Sequence, residues 1–226
     1  MEYKNITKGK FINRPNRFIA NVEIDGNIQV CHVKNTGRCK ELLVPNATVY
    51  LEKSNNPNRK TQYDLVTVKK GNLLINMDSQ APNKIFREWA ENSGYFENLT
   101  KIKSEVTFGS SRLDFYLETP QYKAYAEIKG VTLEEKGIVK FPDAPTQRGV
   151  KHLQELITAV KNGYKAYAVF IVQMEKAKYF TPNYTTHPEF GNALKQAQEN
   201  GVEIIALTCK VTPNSVTPLT QIPIVL

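Results

Sequence analysis

The sequence predicts a two-domain α/β protein, with a small closed five-stranded β-barrel over residues 1–80 and an α/β unit with a central mixed sheet over residues 81–226. Three observations carry this expectation. Five short runs in the first 80 residues alternate apolar and polar positions, with no helical period between them. After Asp78-Ser79-Gln80-Ala81-Pro82 the composition and the hydrophobic period both change. From there the elements follow in the order α-β-β-β-α-β, then α-β.

In the first unit, residues 17–24 alternate, Asp25-Gly26-Asn27 supplies a turn able to take positive φ, and residues 28–33 return as the second arm of a hairpin. Residues 48–53 make another strand, and residues 63–69 pair with residues 73–77 across Lys70-Gly71-Asn72. In the second unit, residues 83–91 place Ile85, Phe86, Trp89 and Ala90 on one helical face, and Ser93-Gly94 ends the helix. Strands at 102–108, 112–118 and 122–131 follow, joined by Gly109-Ser110-Ser111 and Thr119-Pro120-Gln121. Residues 146–161 set Val150, Leu153, Leu156, Ile157 and Val160 in one stripe, with Gly163 just past the end. The apolar run 166–172 suits a strand buried on both faces. A helix at 189–200, closed by Gly201, leads into a strand at 202–209.

The 226 residues, 41% hydrophobic and 23% charged, suffice for such cores. No apolar run approaches the roughly 20 residues that span a bilayer, so a membrane-spanning protein is not expected. Residues 1–5 show no apolar segment behind a basic start, which points to the cytoplasm. Three cysteines, an odd number, agree with a reducing compartment. The net charge is +8, and residues 1–80 hold 13 Lys and Arg against 7 Asp and Glu. A polyanion such as DNA, bound mostly through its phosphates, is the functional reading of that excess; a solvated basic surface is the alternative.

The chemistry centres on Asp114 and the triplet Glu127-Ile128-Lys129. Residues i and i+2 of a strand face one side, so Glu127 and Lys129 share a face while Ile128 points into the core. Asp114, on the preceding strand, shares a face with Arg112 and Tyr116, opposite Leu113, Phe115 and Leu117. Carboxylates beside apolar sequence are costly unless paired or bound to a metal. Two acidic groups and the Ile128 carbonyl form an oxygen-rich set that suits Mg2+ or Mn2+. Lys129 then orients or deprotonates an attacking water, or stabilises transition-state charge, in phosphodiester hydrolysis. A cross-strand salt bridge is the other reading of the same residues.

A carboxylate followed by E-x-K on the next strand, within an α-β-β-β-α-β order, resembles the PD-(D/E)XK nuclease superfamily. Glu105, one strand earlier, fits the additional acidic residue many of those enzymes carry, which holds a second metal ion or only a water. Residues 141–153 open the long helix, whose N-terminus with Gln147, Arg148 and Lys151 can dock a DNA phosphate. Asp143 or Thr146 is the N-cap in the plainer reading. His152 is expected to be a buried, hydrogen-bonded histidine, and His187 has no evident partner.

Asn35-Thr36-Gly37-Arg38, Asn56-Pro57-Asn58-Arg59-Lys60, Ser111-Arg112-Leu113-Asp114-Phe115, Glu127 to Leu133, Phe141 to Leu153 and Phe170-Ile171-Val172-Gln173 resemble the sugar fermentation stimulation protein A (SfsA) family over essentially the whole chain. The resemblance implies an N-terminal OB-fold domain, a C-terminal PD-(D/E)XK nuclease-like domain, DNA binding and a bacterial cytoplasmic setting. It also implies a link to the regulation of sugar, especially maltose, catabolism. The family's acidic pocket falls on Asp114, Glu127 and Lys129, with Glu105 beside it. The function expected is therefore a DNA-binding protein with a Mg2+-dependent nuclease site using one or two ions. A non-enzymatic DNA-binding regulator that keeps the nuclease fold is the alternative, and the oligomeric state, a homodimer included, is left open.

On the barrel, Arg14, Arg17, Lys34, Arg38, Lys40, Arg59 and Lys60 are available for DNA phosphates, with Phe11, Phe18, Tyr50 and Tyr63 nearby. Phe18 is assigned to the core, and the loop at 55–60 suits a phosphate-contacting hairpin tip. Cys31-His32 and Cys39 lack the spacing and the fourth ligand of a zinc site.

Overall fold

The structure is a computed structural model in which residues 1–35 and 37–226 are described; Thr36, within the Asn35 to Arg38 segment noted above, lies outside them. The first unit contains β1 (Ile6–Asn16), β2 (Ile19–Ile24), β3 (Asn27–Val33), β4 (Thr48–Lys53), β5 (Tyr63–Lys70) and β6 (Leu73–Asn76). They lie in the order β3-β2-β1-β4-β5-β6, and parallel pairs His32↔Asp64 and Val33↔Leu65 join β3 to β5. That pairing closes a five-stranded barrel, the OB fold, with β6 appended outside it.

The barrel has the expected strand number but different membership. The polar, irregular run of β1 carries no clean alternation, yet it pairs with both β2 and β4. It approaches β2 so closely that a Cβ at Gly9 would stand 2.5 Å from Val22 Cγ1 and 2.9 Å from the Glu23 carbonyl, so only glycine fits. Phe11, Val22, Cys31, Val49, Leu51 and Leu65 are buried. Phe18 is not core: it is 49% exposed in the β1–β2 turn, where Asn16 Oδ1 accepts its backbone N–H.

The second unit contains α1 (Ala81–Asn92), β7 (Lys101–Phe108), β8 (Ser111–Glu118), β9 (Lys123–Val131), β10 (Leu133–Glu135), β11 (Ile138–Phe141), α2 (Gln147–Lys161), β12 (Lys165–Val172), β13 (Tyr179–Pro182), α3 (Pro188–Glu199), β14 (Glu203–Val211) and β15 (Val216–Gln221). The main sheet runs β15-β14-β12-β9-β8-β7. Its centre, β9, β12 and β14, is parallel and its flanks are antiparallel, a mixed sheet of the nuclease-like kind. The short strands β10, β11 and β13 form a separate three-stranded sheet.

Helices cover both faces. The apolar stripe of α1 buries Ile85, Phe86 and Trp89, with the Phe86 ring 4.9 Å from Phe115 of β8. Burial of each such side chain contributes about 1.5–3 kcal/mol. On the other face α2 buries Leu153, Leu156 and Ile157, and β12 between the layers is buried at seven successive positions, Ala166 to Val172. Thr146 Oγ1 accepts the Gly149 N–H at 3.1 Å and caps α2, and Gly163 beyond its end takes φ +83°. No helix among the described residues is long and apolar enough to cross a membrane.

A buried polar network joins the two units. Gln173, just after β12, donates to Asn76 Oδ1 at 2.8 Å and to the Asp78 carbonyl at 3.0 Å; Asn76 donates to Tyr3 Oη at 2.9 Å. Lys34 pairs with Asp78 at 2.9 Å. The first residues also reach across, since Glu2 bridges to Ser215 and the Tyr3 N–H donates to the Asn214 carbonyl at 2.8 Å.

Candidate functional site

Asp114 and Glu127 lie where two strands part. The β8–β9 ladder runs from Glu118↔Lys123 to Phe115↔Ala126 and stops one step short of these residues, while β9 stays paired with β12 through Val131. The parting frees the backbone edge of β9. Ile128 N–H donates to Asp114 Oδ2 at 2.8 Å, and Asn83 of α1 donates to Oδ1 at 3.2 Å. The N–H and C=O of one strand residue project to the same side, so the Ile128 carbonyl also faces the parted edge.

Glu127 is 3% exposed. Its Oε1 accepts from Lys129 Nζ at 2.6 Å and is also bonded to His152 Nδ1 of α2. Arg148 Nε donates to His152 Nε2 at 3.3 Å. An accepting Nε2 puts the proton on Nδ1, so a neutral imidazole donates to the carboxylate. His152 is buried and hydrogen-bonded as expected, but its partner is the central carboxylate, a connection the sequence reading missed. Glu127 Oε2 is buried and has no hydrogen-bond partner among the described residues.

The two carboxyls titrate in opposite directions. Burial pushes Asp114 above the usual aspartate range, and the adjacent Glu127 charge adds to it, outweighing the Ile128, Lys129 and Asn83 contributions. Burial acts on Glu127 the same way, but the His152 bond and the Lys129 ammonium together outweigh it and hold Glu127 below the usual glutamate range. The Asp114 carboxylate, Glu127 Oε2 and the Ile128 carbonyl are hard oxygen donors of the kind that suit Mg2+ or Mn2+, and a buried unsatisfied carboxylate oxygen fits a cation as its missing partner.

Glu105 is not brought to this pocket. It lies opposite Asp114 in the unshifted β7–β8 register, between Ser104↔Phe115 and Val106↔Leu113, but its φ is +57° and its half-exposed carboxylate pairs with Arg112 Nε at 2.6 Å. The left-handed backbone leaves that step of the ladder without a pair. No cluster of three or more His, Cys, Asp or Glu side chains suited to a metal forms among the described residues.

The expected DNA-contacting residues fall into two groups. Arg14 is a backbone clamp, donating to the carbonyls of Arg17, Asn35, Gly37 and Arg38 at 2.6–2.9 Å. Lys34 is held by Asp78, and Arg59 is bidentate on Asp64 at 2.7 and 3.0 Å. Arg17, Arg38, Lys40 and Lys60 are exposed. At the start of α2, Arg148 is bonded to His152, Lys151 Nζ donates to the Ser110 carbonyl at 3.2 Å, and Gln147 lies 3.3 Å from His187. His187 thus has partners: Gln147, and the Thr146 N–H at 3.5 Å. Cys31 and Cys39 are buried free thiols that burial pushes up to about 12, and His32 faces Asp64 rather than either of them.

An OB-type barrel joined to an α/β domain with D…E-x-K carboxylates at parted strand ends defines a two-domain protein of nuclease-like fold. Family models agree unit by unit: the SfsA N-terminal OB domain matches residues 12–77, and the sugar fermentation stimulation protein RE domain matches residues 80–215. The chain belongs to the sugar fermentation stimulation protein (SfsA) family. The sugar fermentation stimulation protein homolog of Desulfitobacterium hafniense (strain DSM 10664 / DCB-2) is 61% identical over 216 residues, which cover 96% of this chain and 94% of that protein. The homolog of Clostridium beijerinckii is 59% identical with 96% of each chain covered. Pyrococcus furiosus SfsA, solved in complex with Ca2+, superposes with a TM-score of 0.90 at 29% identity, covering 100% of this chain and 98% of that one.

Proposed function

We propose that this chain is a DNA-binding protein with a divalent-metal-dependent nuclease site, in which Asp114, Glu127 and the Ile128 carbonyl hold Mg2+ or Mn2+. The observation that carries the reading is Glu127 Oε2, a buried carboxylate oxygen with no protein partner among the described residues. Lys129 and His152 both occupy Oε1, which leaves Oε2 as the oxygen that can ligate. The Ca2+ in the Pyrococcus furiosus relative supports an oxygen-seeking cation. A bound divalent ion would supply Lewis acidity and a more acidic water.

The chain's own groups do the rest. Lys129, with 22% of its side chain exposed, is anchored on Glu127 yet in reach of solvent, so its ammonium orients an attacking water or neutralises charge on phosphoryl oxygens. Arg148 and His152 hold Glu127 in one orientation. The diversion of Glu105 to Arg112 favours one ion over two. It also lends weight to a second reading, a DNA-binding regulator of sugar (maltose) catabolism that retains the nuclease fold, in keeping with the name its relatives carry.

Incubation with single-stranded, duplex and branched DNA in Mg2+ or Mn2+ separates the two. Cleavage is expected, and Glu127→Ala and Lys129→Ala are each expected to abolish it. Cleavage untouched by both substitutions overturns the nuclease reading, and an intact protein that cleaves none of the substrates is the regulator.

A further inference from the structure

Arg17, Arg38 and Lys40 are exposed and form no ion pair among the described residues. All three line one opening of about 500 Å³ between the barrel and Ala144, which precedes α2. A second opening of about 270 Å³ shares Gly37 and Ala144 with the first and continues past Thr146 to Gly130 and Gln173. Gly130 directly follows Lys129, so the two openings make one cleft from the barrel to the strand that carries the acidic site. Asp143, which lines the second opening, accepts the Arg38 N–H at 2.9 Å, which pins the barrel loop to the lead-in of α2, and Arg38 itself lines the first opening. Next to Arg17, Phe18 is 49% exposed, with the Arg17 guanidinium carbon 5.5 Å from its ring centre.

We propose that this cleft is the binding site for an unpaired nucleic-acid strand, with Arg17, Arg38 and Lys40 on its phosphates and Phe18 stacked on a base. The destination of the strand, the Asp114 and Glu127 carboxylates, rests on the nuclease reading; the binding site does not. An opening of this volume is on the scale of a small ligand, which one or two nucleotides fill and a duplex with two backbones does not. An exposed aromatic face beside a row of cations is the pattern that holds single strands, because only an unpaired base offers a free face to stack. The interface thereby moves from the 55–60 loop, where Arg59 is tied to Asp64, to the groove between the units.

Fluorescence anisotropy with a labelled oligodeoxythymidylate of about 12 nucleotides, alone and annealed to its complement, tests this in chelator without metal. The single strand is expected to bind more tightly than the duplex. The triple variant Arg17→Ala, Arg38→Ala, Lys40→Ala is expected to weaken single-strand binding by about tenfold or more, and to lower the salt slope by about 2, at ~0.7 for each phosphate no longer neutralised. Phe18→Ala is expected to weaken it by about fivefold or more. Lys195→Ala, on the exposed side of α3, is the control. If the triple variant does not fold, the three single substitutions are scored instead. A folded variant that binds the oligonucleotide as tightly as the unaltered protein, or equal duplex affinity together with no effect of Phe18→Ala, overturns the proposal. Loss of cleavage with these binding effects intact removes the nuclease reading and leaves the cleft; cleavage with no effect of the cleft substitutions does the reverse.

Discussion

Glu127 Oε1 and His152 Nδ1 are joined by a hydrogen bond buried between the central sheet and α2. The bond accounts for the contrast between the two acidic residues of the site. Both are withdrawn from water, but Glu127 has an imidazole N–H and an ammonium, whereas Asp114 has a backbone N–H, a carboxamide and a negative neighbour. Glu127 is therefore the fixed charge of the pair and Asp114 the one that gains most from a cation.

His152→Ala removes a donor from a buried carboxylate, and the unfolding free energy is expected to fall by about 1–3 kcal/mol. Affinity for Ca2+ falls with it, because the carboxylate is no longer held with Oε2 toward the ion. His152→Asn, whose amide N–H can take the place of Nδ1–H, recovers part of both. Urea denaturation and calorimetric Ca2+ titration measure the two effects; an unchanged unfolding midpoint in His152→Ala counts against the bond.

A cation bound at Asp114 and Glu127 stabilises the folded chain by mass action, about 2.7 kcal/mol at a hundredfold excess over Kd. Thermal denaturation with and without Ca2+ is expected to show a rise in Tm that disappears in Asp114→Asn and in Glu127→Gln. A rise that survives both substitutions puts the ion elsewhere.

Arg59 is a structural partner of Asp64. Burial raises the Asp64 carboxyl, but the bonds from Arg59 and then His32 outweigh it, so it titrates below the usual aspartate range. A carboxyl lowered in the fold contributes stability that is complete above its unfolded value, about pH 4, and is lost as pH falls through the lower folded value. Arg59→Ala is expected to cost about 1–3 kcal/mol at neutral pH, with Lys60→Ala within about 0.5. Denaturation below about pH 4 is expected to show a steeper loss in the unaltered protein than in the Arg59→Ala, Asp64→Asn double variant.

Gly130 has no room for a side chain: a Cβ there would stand 2.5 Å from Gln173 Oε1 and 2.8 Å from Pro82 Cγ. Gly130→Ala displaces Gln173 from Asn76 and Asp78 and is expected to cost about 1–3 kcal/mol. Combined with Gln173→Ala the two losses add to less than their sum, which a double-mutant cycle on thermal or urea unfolding detects.

The features legible in the sequence were local. Turn residues and period-2 alternation marked the β2–β3 and β5–β6 hairpins, and the i, i+2 rule put Glu127 and Lys129 on one face. Strand β1 was illegible because lysines and asparagines occupy its positions and pairing on both sides, not alternation, makes it a strand. Strands β10, β11 and β13 are too short to show a period. Glu105 stands opposite Asp114 in register, but a left-handed backbone and the pairing with Arg112 take its carboxylate elsewhere, and no pattern marks a positive φ at a glutamate. Arg14 and Arg59 looked like free cations because the partners of Arg14 are backbone carbonyls and that of Arg59, a loop residue, is Asp64 of β5. His152 did carry a signal, since Gly149, His152, Leu156 and Ala159 share the buried face of α2 at helical spacing. Nothing local told which strand residue that face would meet.

The pairing of Glu2 with Ser215, and of Tyr3 with Asn214, gives the chain a closure that spans nearly its whole length. Tyr3 is also bonded to Asn76 and Asp78 near the end of the barrel, so residues 2 and 3 tie the barrel to the β14–β15 hairpin, which is made after it. The contacts to Ser215 and Asn214 form only once that hairpin is present. The two halves cannot be inherited or exchanged as beads on a string, because the residues that lead into the barrel are held at the far edge of the α/β domain.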